Sequence, residues 1–114
     1  MLYIFNTLIL PISPKYRKAT VTLERVTVEE VKKMIQDFAF TSAVGHQGTA
    51  ELLSNLLGVP IPANRIAVHL EKGDVGIHFA LRTRLPEGKV LSKEELEKLE
   101  YEFIISRVVD AVPY

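Results

Sequence analysis

The apolar residues of this chain come in short blocks whose spacing changes along its length. Leu2 to Leu10 is an apolar run broken by Asn6 and Thr7. It is short and rich in large and β-branched side chains, which predicts a strand buried on both faces. A buried Asn6 must find hydrogen-bond partners there or mark a ligand contact. "PISPKYRK", residues 11 to 18, carries two prolines and three cations and predicts an irregular loop. Residues 19 to 25 predict a second strand. Thr27 with Glu30 three positions on is a capping box, and Val31, Met34, Ile35 and Phe38 form the apolar stripe of the helix it opens. Residues 47 to 57 predict a second helix, with Ala50, Leu52, Leu53, Leu56 and Leu57 on a broad buried face and Gly58 ending it.

Residues 65 to 84 predict a hairpin turning at Lys72 and Gly73. In that register Leu70 faces Val75, Val68 faces Ile77 and Ile66 faces Phe79. The opposite, polar face then collects Arg65, His69, Glu71, His78, Arg82 and Arg84, so both histidines are expected at the surface. Ser92 and Glu95 predict a further capped helix to about Glu100, and "YEFIISRVV" a closing strand. The element order is β-β-α-α-β-β-α-β. It implies one α/β (α+β) domain over residues 1 to 114, a mixed sheet of about five strands flanked by about three helices.

Composition narrows the function. Of 114 residues, 47% are apolar and 25% charged, and 14 Lys and Arg balance 14 Asp and Glu. Non-specific duplex nucleic-acid binders owe their affinity to phosphate neutralisation and usually carry a basic excess. Any phosphate site here is therefore local. With no cysteine, thiolate metal sites and thiol nucleophiles are excluded. "MLYIFNTLIL" has no basic flank or small-residue cleavage site and is too short to span a bilayer, so an intracellular, cytoplasmic protein without a membrane partner is expected.

Two stretches carry candidate chemistry. In "AVGHQGTAELLSNLLGVP", residues 43 to 60, His46 stands between Gly45 and Gly48 at the start of the second helix. Unpaired N–H groups and the helix dipole favour an anion there, beside an imidazole able to exchange a proton. The same residues also read as a capped helix entry and a glycine turn. No Walker-type loop occurs. In "RTRLPEGK", residues 82 to 89, Arg84, Glu87 and Lys89 gather near one strand end. An Arg fork suits phosphate and a carboxylate can assist a histidine, although a solvated turn has the same composition. Three histidines without ligand spacing predict no metal site.

Taken in order, "VGHQGTAELLSNLLG", "NRIAVHLEKGD" and "RTRLPEGKVLSKEELEKL" resemble the viral anti-CRISPR ring nuclease family. The likeness covers about residues 42 to 100, and the first strand more loosely. It implies a homodimer that binds cyclic tetra-adenylate, the messenger of type III CRISPR defence. It further implies cleavage of the ring, without metal or cofactor, to di-adenylate ending in a 2′,3′-cyclic phosphate. The substrate's 2′-hydroxyl would attack, His46 would protonate the leaving 5′ oxygen, Glu87 would assist it, and Arg84 would contact phosphate. Asn6 matches a ligand-facing polar position. The implied substrate-binding set is Asn6, Gly45, Gly48, Thr49, Arg84 and Lys89. Gln47-Gly48 replaces the family's frequent Asp-Ser, and Thr83 and Pro86 replace Gln and Glu around the Arg-Leu pair. A non-catalytic protein that sequesters or senses a cyclic oligonucleotide is the alternative. A small regulatory protein whose GHQGT turn is only a cap is a third reading.

Overall fold

The computed structural model describes residues 1–81 and 100–114. The described elements run β1 (Leu2–Phe5), β2 (Tyr16–Val26), α1 (Val28–Asp37), β3 (Thr41–Ala43), α2 (Gln47–Leu57), β4 (Val75–Leu81) and β5 (Tyr101–Pro113). They build one five-stranded mixed sheet in the order β2-β5-β4-β1-β3. β1 is parallel to both β3 and β4, while β5 is antiparallel to β4 and β2. The α+β class therefore stands. The helix expected at Ser92 to Glu100 lies outside the described residues, apart from Glu100.

Alternation along the strands sends side chains to two faces. Leu2, Ile4, Ile77, Phe79, Phe103 and Ile105 join Val31, Ile35 and the buried face of α2 in the larger core. Phe5, Val68, Leu70 and Val108 form a second cluster with Tyr3, Ile12, Ala19, Val21 and Ala43. Because β1 contributes to both, residues 2 to 5 are the strand buried on both faces that the apolar run predicts.

The capping box at Thr27 forms as expected, with Thr27 Oγ1 accepting from Glu30 N–H at 3.2 Å and Glu30 reaching back to the Thr27 amide. Gly58 closes α2 at φ 71°, in the left-handed region glycine tolerates. Four expectations need correction. β1 ends at Phe5 and not at Leu10: the chain bends at Asn6 and Thr7, and Leu8, Ile9 and Leu10 are exposed. β2 starts at Tyr16, taking in residues expected in the loop. Phe38 is no part of the α1 stripe, because its extended φ of −130° takes it off the helix and leaves it exposed.

The fourth correction is the hairpin. The turn at Lys72 and Gly73 exists, with Gly73 at φ 92° and Asp74 N–H donating to Glu71 C=O at 2.9 Å. Residues 65 to 70 nevertheless do not pair with β4, because β1 and β5 already occupy both of its edges. At the end of the segment Leu70 lies instead beside residues 11 to 13, through a parallel bridge to Ile12. The segment's alternation still buries Val68 and Leu70, in the second cluster, while Ile66 is exposed. The five-strand count is kept by β3, a three-residue strand between the helices that the periodicity did not show.

Candidate functional site

The carboxyl ends of parallel strands are where open α/β sheets place ligand crevices, since loops diverge there and helix N-termini point in. Here that edge is formed by the residues leaving β1 and β3. Asn6 follows β1, and its Oδ1 accepts the Gly45 N–H at 3.3 Å. Val44, buried, leads from β3 to Gly45 and then to His46, the N-cap of α2. Asn6 thus has both a partner and a place at the rim. Of its amide, only Oδ1 is engaged among the described residues.

His46 caps α2 through Nδ1, which accepts the Thr49 N–H at 3.2 Å. A nitrogen that accepts carries no proton, so the neutral ring bears its hydrogen on Nε2. Among the described residues both hydrogen-bond contacts of the ring run through Nδ1, leaving Nε2 available. The second of these contacts is Thr49 Oγ1, 3.1 Å from Nδ1. A cationic ring can no longer accept from the Thr49 amide, but it can donate to that hydroxyl. Thr49 therefore offers a partner to either form of the ring from a buried position.

Arg65 is the residue the sequence patterning misplaced. A hairpin would put it on a strand face far from His46. In the structure its side chain runs alongside Gly45: a Cβ built there would lie 3.6 Å from Arg65 Nε. Gly45 is thus the site's open wall toward a guanidinium. Its φ is not in the positive range, and an alanine would meet only ordinary contact distances. Asn64 fixes Arg65 in place, its amide donating to Val44 C=O at 2.8 Å and its Nδ2 to Ser42 C=O at 2.7 Å. Ser42 Oγ donates to Pro62 C=O at 2.6 Å, so residues 62 to 64 are tied along the outer edge of β3. Among the described residues no carboxylate pairs with Arg65, and it is exposed. The available signal was the Asn64-Arg65 pair directly after the turn-forming "VPIPA".

Asn6, Gly45, His46, Gly48 and Thr49 are brought together: Asn6 bonds Gly45, and the other four begin α2 or precede it. Arg84, Glu87 and Lys89 lie outside the described residues. Of the two other histidines, His69 is exposed as expected, but His78 is fully buried, which corrects its surface assignment. The face of β4 that carries it is covered on the side of the second cluster, where His78 stacks on Phe5 at 4.9 Å between ring centroids. Its Nδ1 lies 3.1 Å from Thr7 C=O and its Nε2 2.7 Å from Ser106 Oγ. Burial pushes its pKa below the usual histidine value, partly opposed by the Thr7 bond. Among the described residues no three of His, Asp or Glu gather so as to hold a metal ion, and no helix is long and apolar enough to cross a membrane.

Fold and site together define a small α+β protein with a polar, cation-bearing rim at the ends of its parallel strands. Residues 2–103 match the family model described as STIV B116-like, and the chain belongs to that family. It is 42% identical over 110 residues to uncharacterized protein 26 of the Sulfolobus islandicus filamentous virus (isolate Iceland/Hveragerdi), covering 96% of this chain and 92% of that protein. It is 45% identical over 112 residues to uncharacterized protein ORF117 of the Acidianus two-tailed virus, covering 95% and 94%. A bacterial relative, YddF of Bacillus subtilis (strain 168), is 36% identical over 100 residues, covering 86% and 89%. Protein B116 of Sulfolobus turreted icosahedral virus shares the fold, with a TM-score of 0.78 at 24% identity over 93% of this chain and 97% of that one.

Proposed function

We propose that the chain is a metal-independent ring nuclease that cleaves cyclic tetra-adenylate to di-adenylate with a 2′,3′-cyclic phosphate end. This would switch off type III CRISPR signalling as an anti-CRISPR activity. The observation that carries the proposal is the setting of His46: Nδ1 anchored at the N-terminus of α2 and, among the described residues, Nε2 uncommitted and Arg65 unpaired alongside Gly45. Helix N-termini and guanidinium groups both favour phosphate, so a phosphodiester is drawn to the side of the imidazole that can give up a proton.

In the reaction the ribose 2′-oxygen bonds to the adjacent phosphorus and the P–O5′ bond breaks. The cationic His46 ring, donating through Nδ1–H to Thr49 Oγ1, delivers its Nε2 proton to the departing 5′ oxygen. The 2′-hydroxyl proton passes to water, which returns one to the ring. Asn6 Nδ2 and Arg65 supply donors to the substrate. Glu87, Arg84 and Lys89 complete the set on the family pattern. Two cuts in a four-nucleotide ring need two histidines, which suits a two-fold homodimer.

A single-turnover assay on cyclic tetra-adenylate in EDTA, with wild type beside His46→Ala, tests this. Cleavage by the wild type alone supports it. The capping role of Nδ1 also fits a binder that only sequesters the ring. Such a protein would bind cyclic tetra-adenylate and cleave none.

A further inference from the structure

We propose that His78, on the far side of the sheet from α2, is a positioning residue for the rim that holds His46. It would act through Thr7, Asn6 and Gly45. A carbonyl oxygen only accepts, so the 3.1 Å contact to Thr7 C=O requires the proton on Nδ1. Nε2 is then the acceptor for the Ser106 hydroxyl at 2.7 Å. The ring is held in plane by Phe5, with an interplanar angle of 6°. Nothing larger than glycine fits beside it, because a Cβ at Gly76 would stand 2.7 Å from both His78 Nε2 and Ser106 Oγ. The imidazole is therefore engaged through both ring nitrogens and by stacking, and what its Nδ1 holds is the first turn after β1. Thr7 is one residue beyond Asn6, and Asn6 in turn holds the Gly45 amide that precedes the His46 cap.

A histidine kept only for core packing would be replaceable by any side chain of similar shape. The relay requires one specific bond, Nδ1–H to Thr7. The proposal rests on the functional reading above only for what the rim binds.

Two variants separate the bonds. Asn at position 78 retains a donor where Nδ1 stands and loses the Ser106 contact. Gln retains an acceptor near Nε2 and loses the Thr7 contact. Hydrogen exchange of the Gly45 amide, followed by water-saturation transfer on the ligand-free protein, is expected to rise about tenfold in His78→Gln and to stay near wild type in His78→Asn. The Phe103 and Ile105 amides serve as the core reference. Equal protection of Gly45 in both variants, or equal loss in both alongside the core, overturns the proposal. Should His78→Gln not fold, ring nitrogen resonances of the wild type decide: an Nδ1–H tautomer at His78 is required, and an Nε2–H tautomer overturns the relay. Neither measurement contains nucleotide, so failure of the ring-cleavage reading would show only in the cleavage assay.

Discussion

Asn6 Oδ1 stands 3.3 Å from the Gly45 amide nitrogen, joining the end of β1 to the entry of α2 across 39 residues of chain. Its loss removes the acceptor of a half-buried N–H. Asn6→Ala is expected to lower unfolding free energy by about 1 kcal/mol in a denaturant titration. Affinity for cyclic tetra-adenylate should fall as well, because the same amide supplies the rim with a donor. Unchanged affinity would remove Asn6 from the binding set.

His46 caps α2 and is the proposed acid, two roles that substitution can part. Alanine removes both the cap and the proposed acid, so His46→Ala should cost about 0.5 to 2 kcal/mol of stability. It should also slow cleavage by about 100-fold to 10,000-fold. Asparagine caps helices well and cannot act as an acid. His46→Asn should therefore melt close to wild type yet cleave as poorly as the alanine variant. Retained cleavage in the asparagine variant would sink the acid assignment.

Arg65 is exposed and unpaired among the described residues, so its loss should leave the fold alone. Arg65→Gln is expected to weaken binding of cyclic tetra-adenylate at low salt, with the difference from wild type shrinking as ionic strength rises. Calorimetric titrations at two salt concentrations check this, and parallel curves would take Arg65 off the phosphate path.

Burial holds His78 below its ordinary value of 6.5 in the folded protein. The unfolded chain therefore takes up a proton first as pH falls. Its contribution is complete above about pH 6.5, is lost progressively on acidification below that, and levels off once the folded ring itself titrates. Phe5, Gly76, Ser106 and the Thr7 carbonyl surround the ring, and none of them carries charge. The stability of His78→Gln between pH 7 and 5 should be flatter than that of the wild type.

Gly76 faces His78 and Ser106 with no room for a methyl group. Gly76→Ala is expected to destabilise the protein by about 1 to 3 kcal/mol, seen as a lower melting temperature. A neutral result would mean that the buried pair can move apart.

The parts of this architecture that depend on neighbours in sequence were legible, and those that depend on distant partners were not. The Thr27–Glu30 box, the α2 stripe and the Gly58 stop are local devices and stand where the pattern puts them. The alternation from Ala67 to Leu70 is also real, although Ile66 falls outside it, but periodicity does not name the partner of a segment. β4 was already paired on both sides, so that alternation serves burial in the second cluster and not a hairpin. The same error carried Arg65 away from His46 and put His78 on the surface. β3 has three residues, too few to show a period. The GHQGT turn was found because its chemistry and its helix start coincide in one stretch.

The binding of residues 62 to 64 along β3 has a consequence beyond placing Arg65. A sheet ends in two outer strands, and each can template the growth of fibrils by offering its backbone to another molecule. On the β3 side the Val44 carbonyl is taken by the Asn64 amide and the Ser42 carbonyl by its side chain. The other outer strand, β2, breaks register twice, near Tyr16 and near Thr20, which spoils a straight row of donors and acceptors. One border thus has carbonyls taken by the chain's own segment and the other has an interrupted register, so neither presents an unbroken row of free backbone groups to a second sheet.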